Sequence, residues 1–172
     1  MSHSWVSEER LQRVSTTING KAWPVPIPFG ASLDAVRVEL LSHGAEYVFL
    51  DVLCLRQKDS SPELESLRKT EWKLDVPTIG SVYQQCRQYD IPVIIYFNGL
   101  GLPFVDNYEY SKDRFHWCNR VWTLQECPGS KWLIGGVSPA NQTLFREHAR
   151  ALISKTPLID VKFSRNQGER RS

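Results

Sequence analysis

Pro92-Val93-Ile94-Ile95-Tyr96-Phe97, closed by Asn98-Gly99, is the stretch on which the fold turns. It has no polar face, so a strand made of it must be covered on both sides, as strands of a parallel sheet are. Tyr47-Val48-Phe49-Leu50-Asp51-Val52-Leu53 reads in the same way, and Lys131-Trp132-Leu133-Ile134, stopped by Gly135-Gly136, predicts a third strand. Helical segments separate these runs. Ser32 caps a predicted helix with the stripe Leu33, Val36, Leu40 and Leu41, ending near Gly44. A crossover from about Pro62 to Gln88 should be kinked or divided at Pro77. A helix over about Trp117 to Glu126 is stopped by Pro128-Gly129, and an amphipathic one over Gln142 to Ser154 carries Leu144, Phe145, Ala149, Leu152 and Ile153. Strand and helix in alternation predict an α/β domain, a parallel sheet flanked by helices.

Outward from this frame, Asn19-Gly20 is a turn signal between Val14–Ile18 and Ala22–Val25, which predicts a small hairpin inserted near the N-terminus. Pro24-Val25-Pro26-Ile27-Pro28 forces extended backbone. A first strand is expected at the chain start. Met1 falls where the middle of that strand should be, so the strand is expected to be short of its first residues. With no internal repeat and no linker, residues 1–160 read as one domain and 161–172, with three arginines among polar neighbours, as a frayed tail.

The composition excludes more than it selects. The chain has 172 residues, 41% hydrophobic and 23% charged, enough for one core and too short for two domains. Its 21 basic and 19 acidic residues nearly cancel, which argues against nucleic acid or an anionic membrane as partner. No apolar run reaches the roughly 18 residues of a membrane span, and Met1-Ser2-His3-Ser4-Trp5 does not open a signal peptide. Cys54, Cys86, Cys118 and Cys127 form no C-x-x-C pair with matching histidines, so no metal site is expected, and reduced thiols in a cytoplasmic protein are the simplest reading.

Ligands of open α/β sheets bind at the carboxyl ends of the strands. Asp51 emerges from such an end and, as an acid leaving a buried strand, needs a partner, either Arg56 or a backbone amide. It either ties down the following loop or acts on a ligand. Cys54 lacks a nearby histidine and reads as a small buried hydrophobe rather than a nucleophile. In Arg120-Val121-Trp122-Thr123-Leu124-Gln125-Glu126, Trp122 and Glu126 are four apart and share a helix face. That face is either an aromatic platform beside a carboxylate or a packing motif with one charge attached. His3, His43, His116 and His148 are dispersed and carry no catalytic pattern.

Taken in order, these segments resemble the fungal heterokaryon-incompatibility (HET) domain. Ser2-His3-Ser4-Trp5 is similar to its opening block, and Leu50-Asp51-Val52-Leu53-Cys54-Leu55-Arg56-Gln57 to its ID-x-LCI-x-Q block. Ile79-Gly80-Ser81-Val82-Tyr83 resembles the helix ending in IY, and Arg120 to Glu126 the R-x-WT-x-QE block. Trp72-Lys73-Leu74-Asp75-Val76-Pro77, after the second block, is closest to the mushroom-type form. The resemblance implies a flavodoxin-like sheet related to TIR domains, a role in non-self recognition that triggers cell death, and action through self-association or other incompatibility proteins. NAD-cleaving TIR domains have a W-x-x-x-E helix whose glutamate is catalytic, which Trp122 and Glu126 match. The implied set is Glu126 as catalyst, with Trp122, Asp51, Arg56, Trp5 and Ser4 around the substrate. Arg120, Gln125, Cys54 and Gln57 are implied as structural members of the blocks. NAD would be a substrate; no cofactor is implied. Cys54 to Gln57 stand where TIR domains have a characteristic loop, so NAD contacts do not transfer from it. The competing implication is a non-enzymatic module in which Arg120 and Glu126 form an ion pair.

Overall fold

A computed structural model of the protein describes residues 1–105, 113–120, 126 and 131–154. Its centre is a parallel three-stranded sheet in the order β1 (Ser2–His3), β4 (Val93–Tyr96), β5 (Trp132–Ile134). Ser2 lies opposite Ile95 and His3 opposite Tyr96, while Val93, Ile94 and Ile95 face Trp132, Leu133 and Ile134. The apolar run at 92–97 is thus the central strand, and all four residues of β4 are buried.

Strand alternation sends β4 side chains into two cores. Val93 and Ile95 pack with Tyr83 of α4 (Ile79–Gln88) and with Ala149 and Leu152 of the last described helix, α5 (Gln142–Ser154). Ile94 and Tyr96 point the other way, onto Leu33 and Val36 of α1 (Leu33–Ser42), Leu50 and Val52, and Val25 and Ile27 of the hairpin. The Ser32 hydroxyl caps α1 by accepting from the Ala35 amide at 3.4 Å. The crossover divides at Pro77 as expected: α3 (Pro62–Asp75) gives way to a 3-10 turn at Val76–Thr78 and then to α4. At β5, the buried Gln142 amide donates to the Ile134 and Val137 carbonyls and accepts from the Ile134 amide, standing in for a neighbouring strand.

Five local expectations are corrected. Tyr47 to Leu50 are not in a sheet, and Asp51–Cys54 form a one-turn helix, α2. A strand needs a ladder, and two-residue β1 offers this segment only the Met1 amino group, which donates to the Phe49 carbonyl at 2.7 Å. Asp51 meanwhile caps the Val52 amide with its own carboxylate, at 2.7 Å. The hairpin exists, but its arms are β2 (Leu11–Val14) and the proline-rich β3 (Val25–Pro28), so the Asn19-Gly20 turn lies inside a longer loop. The helix expected from Trp117 begins instead as a 3-10 turn, Trp117–Asn119, followed by extended Arg120. Cys54 is exposed, because Val52 and Leu55 take the buried side of that turn. Leu144 is likewise exposed on α5.

Candidate functional site

Strand β1 is where the separated sequence blocks meet. Ser2, His3 and Ser4 are all nearly fully buried. Polar side chains that deep need partners, and each finds them far along the chain. The indole N–H of Trp117 donates to the Ser2 hydroxyl oxygen at 2.6 Å, and that hydroxyl donates to Glu126 Oε2 at 2.6 Å. His3 Nε2 meets Asp51 Oδ1 at 2.7 Å and its Nδ1 meets the Ser4 carbonyl at 3.1 Å. The Ser4 amide and hydroxyl donate to the Tyr96 and Phe97 carbonyls, at 3.0 and 2.9 Å, extending the pairing past β1. Arg120 donates to the His3 carbonyl and the Tyr83 hydroxyl to the Met1 carbonyl. The opening block, the Asp51 block, the Ile79–Tyr83 helix and the Arg120–Glu126 block are therefore joined through four consecutive residues.

Both ring nitrogens of His3 face oxygens, the Ser4 carbonyl and the Asp51 carboxylate, an arrangement that favours the imidazolium. Burial opposes that charge, but the Asp51 carboxylate outweighs it and raises the His3 pKa; the Arg120 guanidinium pulls weakly the other way. Asp51 shows the mirror effect. Burial favours its neutral form, and the His3 charge and the Val52 amide overcome this and lower its pKa. Asp51 therefore has His3 as its charged partner rather than Arg56. Burial, with Glu126 and Asp51 nearby, pushes the Tyr83 phenol up, so it remains a donor.

Arg56 engages a different set. Its guanidinium makes two hydrogen bonds to Glu71, at 2.8 and 3.3 Å, and lies 5.2 Å from the Trp23 ring centre. The Trp72 indole donates to the Arg56 carbonyl at 2.7 Å. These contacts fasten α3, which has no buried residue of its own, to the loop after α2. Gln57 is buried and donates to the Leu55 and Asp51 carbonyls, holding the same loop. Trp122 and Gln125 lie outside the described residues.

At the carboxyl ends of β1 and β4 a cavity of about 320 Å3 opens between Ser4, Trp5, Arg10, Asn98, Phe115 and His116. It lies where parallel α/β sheets bind ligands. Trp5 leans on the His3 ring, 5.4 Å between centres, so the cavity wall and the His3–Asp51 pair are in contact. A larger cavity of about 560 Å3 lies between α1 and residues 45–54, and its walls are mostly aliphatic; Asp51 and Glu126 line neither cavity. Size ranks the aliphatic cavity first, but chemistry favours the strand ends, where convergent polar groups stand beside aromatic rings. Among the described residues, no cluster of three or more His, Cys, Asp or Glu side chains could hold a metal ion, and no helix is long and apolar enough to cross a membrane.

Sequence reasoning marked Glu126, Asp51, Ser4 and Trp5, which the structure brings to β1 and its end. It missed Ser2, His3 and Trp117. The available signal was the pair Ser2-His3 on a strand beside an apolar one: buried polar side chains there require distant partners. Comparisons of the chain with family models, with curated proteins and with solved structures returned no match.

Proposed function

We propose that this chain is a HET-type domain, flavodoxin-like and TIR-like in fold, that signals fungal non-self recognition by cleaving the nicotinamide–ribose bond of NAD. The observation that carries the reading is the convergence of all four HET-like blocks on β1, with the partly exposed Glu126 carboxylate fixed there by Ser2. In the reaction the C1′–N bond breaks and its electron pair leaves with nicotinamide, which departs neutral because the pyridinium charge is cancelled. No general acid is required for such a leaving group. The ribosyl centre becomes an oxocarbenium-like cation, and an anionic carboxylate held beside it favours that state over the ground state. Water then adds to C1′ and a proton is released. The cavity at Ser4 and Trp5 offers aromatic and polar walls for a nucleotide and touches the His3–Asp51 pair through Trp5, while Glu126 and Asp51 themselves lie outside its lining. The domain would act in the cytoplasm, by self-association or by contact with other incompatibility proteins.

One observation favours the alternative, a non-enzymatic interaction module: Arg120 donates to the His3 carbonyl, so the R-x-WT-x-QE block also straps β1 in place. Nicotinamide release decides between them. Purified protein, dilute and artificially clustered, is incubated with NAD beside Glu126→Gln, and products are separated by chromatography. Release from the native protein that falls about 100-fold or more in the variant is expected, the scale for losing a transition-state electrostatic contact. Equal release from both, or none from the clustered native protein, overturns the proposal.

A further inference from the structure

We infer that Ser2, oriented by Trp117, is the positioning residue for the Glu126 carboxylate; this rests on the reaction proposed above. The two ends of the Trp117–Ser2–Glu126 chain fix its direction. An indole nitrogen can only donate, so the Ser2 oxygen must accept at 2.6 Å. An ionised carboxylate can only accept, so the Ser2 hydrogen must point to Oε2, also at 2.6 Å. A hydroxyl normally rotates among several partners; here the rotor has one arrangement. Successive bonds in such a chain polarise and strengthen one another.

The support behind the chain is rigid. Trp117 is fully buried and meets Phe97 edge-on, with ring centres 5.5 Å apart. Ser2 is about 1% exposed and sits in the β1–β4 ladder opposite Ile95. The sheet thereby dictates where Oε2 stands, although Glu126 is 124 residues away in sequence. Glu126 touches the reacting atoms in this scheme; Ser2 and Trp117 act only through it. Their loss should slow the chemical step without weakening substrate binding.

The test uses the full chain and compares Ser2→Ala, Ser2→Thr and Trp117→Phe with the native protein and Glu126→Gln. Trp117→Phe keeps an aromatic ring at this buried position and removes the N–H donor together with part of the indole's volume. Expected is a fall in kcat of about tenfold or more for Ser2→Ala, the scale of one hydrogen bond to a charged group, with KM unchanged. Ser2→Thr, which restores a hydroxyl, should recover most of it, and Trp117→Phe should fall between. If Ser2→Ala matches the native kcat while Glu126→Gln is inactive, the positioning role is wrong and the reaction stands. If the native protein itself releases no nicotinamide, the role fails together with the reaction. A thermal double-variant cycle over Ser2→Ala and Glu126→Ala checks the bond itself, since a glutamine would still accept from the Ser2 hydroxyl: the double variant should melt no lower than the less stable single, and additive losses would overturn the coupling.

Discussion

Asp51→Asn is expected to destabilise the protein most where His3 is charged. The substitution keeps the shape of the side chain and removes the charge that holds an imidazolium at 6% side-chain exposure. Removing one partner of a buried pair costs about 3 to 5 kcal/mol. Asp51 retains 27% exposure, so solvent recovers part of that, and about 2 to 3 kcal/mol is the working figure. For a chain of this length each kcal/mol moves Tm by about 3 °C, giving a fall of about 6 to 9 °C. The pH dependence carries the sharper test. The His3 pKa is raised above its ordinary 6.5, so its contribution is complete below 6.5 and fades as pH climbs through the raised value. The Asp51 pKa is lowered beneath 3.8, so its contribution is complete above 3.8 and is lost as pH falls through the lowered value. Native protein and variant should therefore differ most between these limits, and the gap should narrow on the alkaline side. Melting curves followed by circular dichroism across the range from about pH 5 to pH 10 measure it. A gap below about 1 °C, or one that widens as pH rises, would refute the ion-pair assignment.

Two further substitutions probe the frame around the site. Gly136→Ala should cost about 2 to 4 kcal/mol in urea unfolding, because the backbone there has φ +77° and a methyl group would meet the Leu102 carbonyl oxygen at 2.2 Å; wild-type stability would show that the turn relaxes. Arg56→Ala should lower stability by about 1 to 2 kcal/mol through loss of the Glu71 and Trp23 contacts. It should leave nucleotide binding measured by calorimetry unchanged, whereas a lost binding signal with an intact fold would return Arg56 to the substrate.

Local signals in the sequence had local outcomes. The unbroken apolar run at 92–97 became the strand covered on both faces, Ser32 capped its helix, and Pro77 divided the crossover, since each depends on residues within a turn or two. Tyr47 to Leu50 misled for a physical reason: apolar content shows that backbone wants to be covered, while a strand also requires a neighbour of sufficient length, which two-residue β1 does not supply. The hairpin was signalled by Asn19-Gly20, yet its arms were set by burial of Val25 and Ile27, a tertiary effect. For the site, the carboxylates were legible as acids near strand ends. Their partners were not, because Ser2, His3 and Trp117 carry no periodicity that links them to residues 48 to 124 positions away.

Those separations also set an order of events during synthesis. Ser2 and His3 are made 124 and 48 residues ahead of their partners, and Ser2 has no carboxylate to meet until residue 126 has been added. At about 5 to 20 residues per second this leaves β1 waiting roughly 6 to 25 seconds. Pairings this distant in sequence also close slowly once all parts are present. A nascent chain, or one cut anywhere before Glu126, therefore carries the opening strand without the group it is built to hold. In the reading proposed above, copies cut short of residue 126 lack the carboxylate on which the cleavage depends.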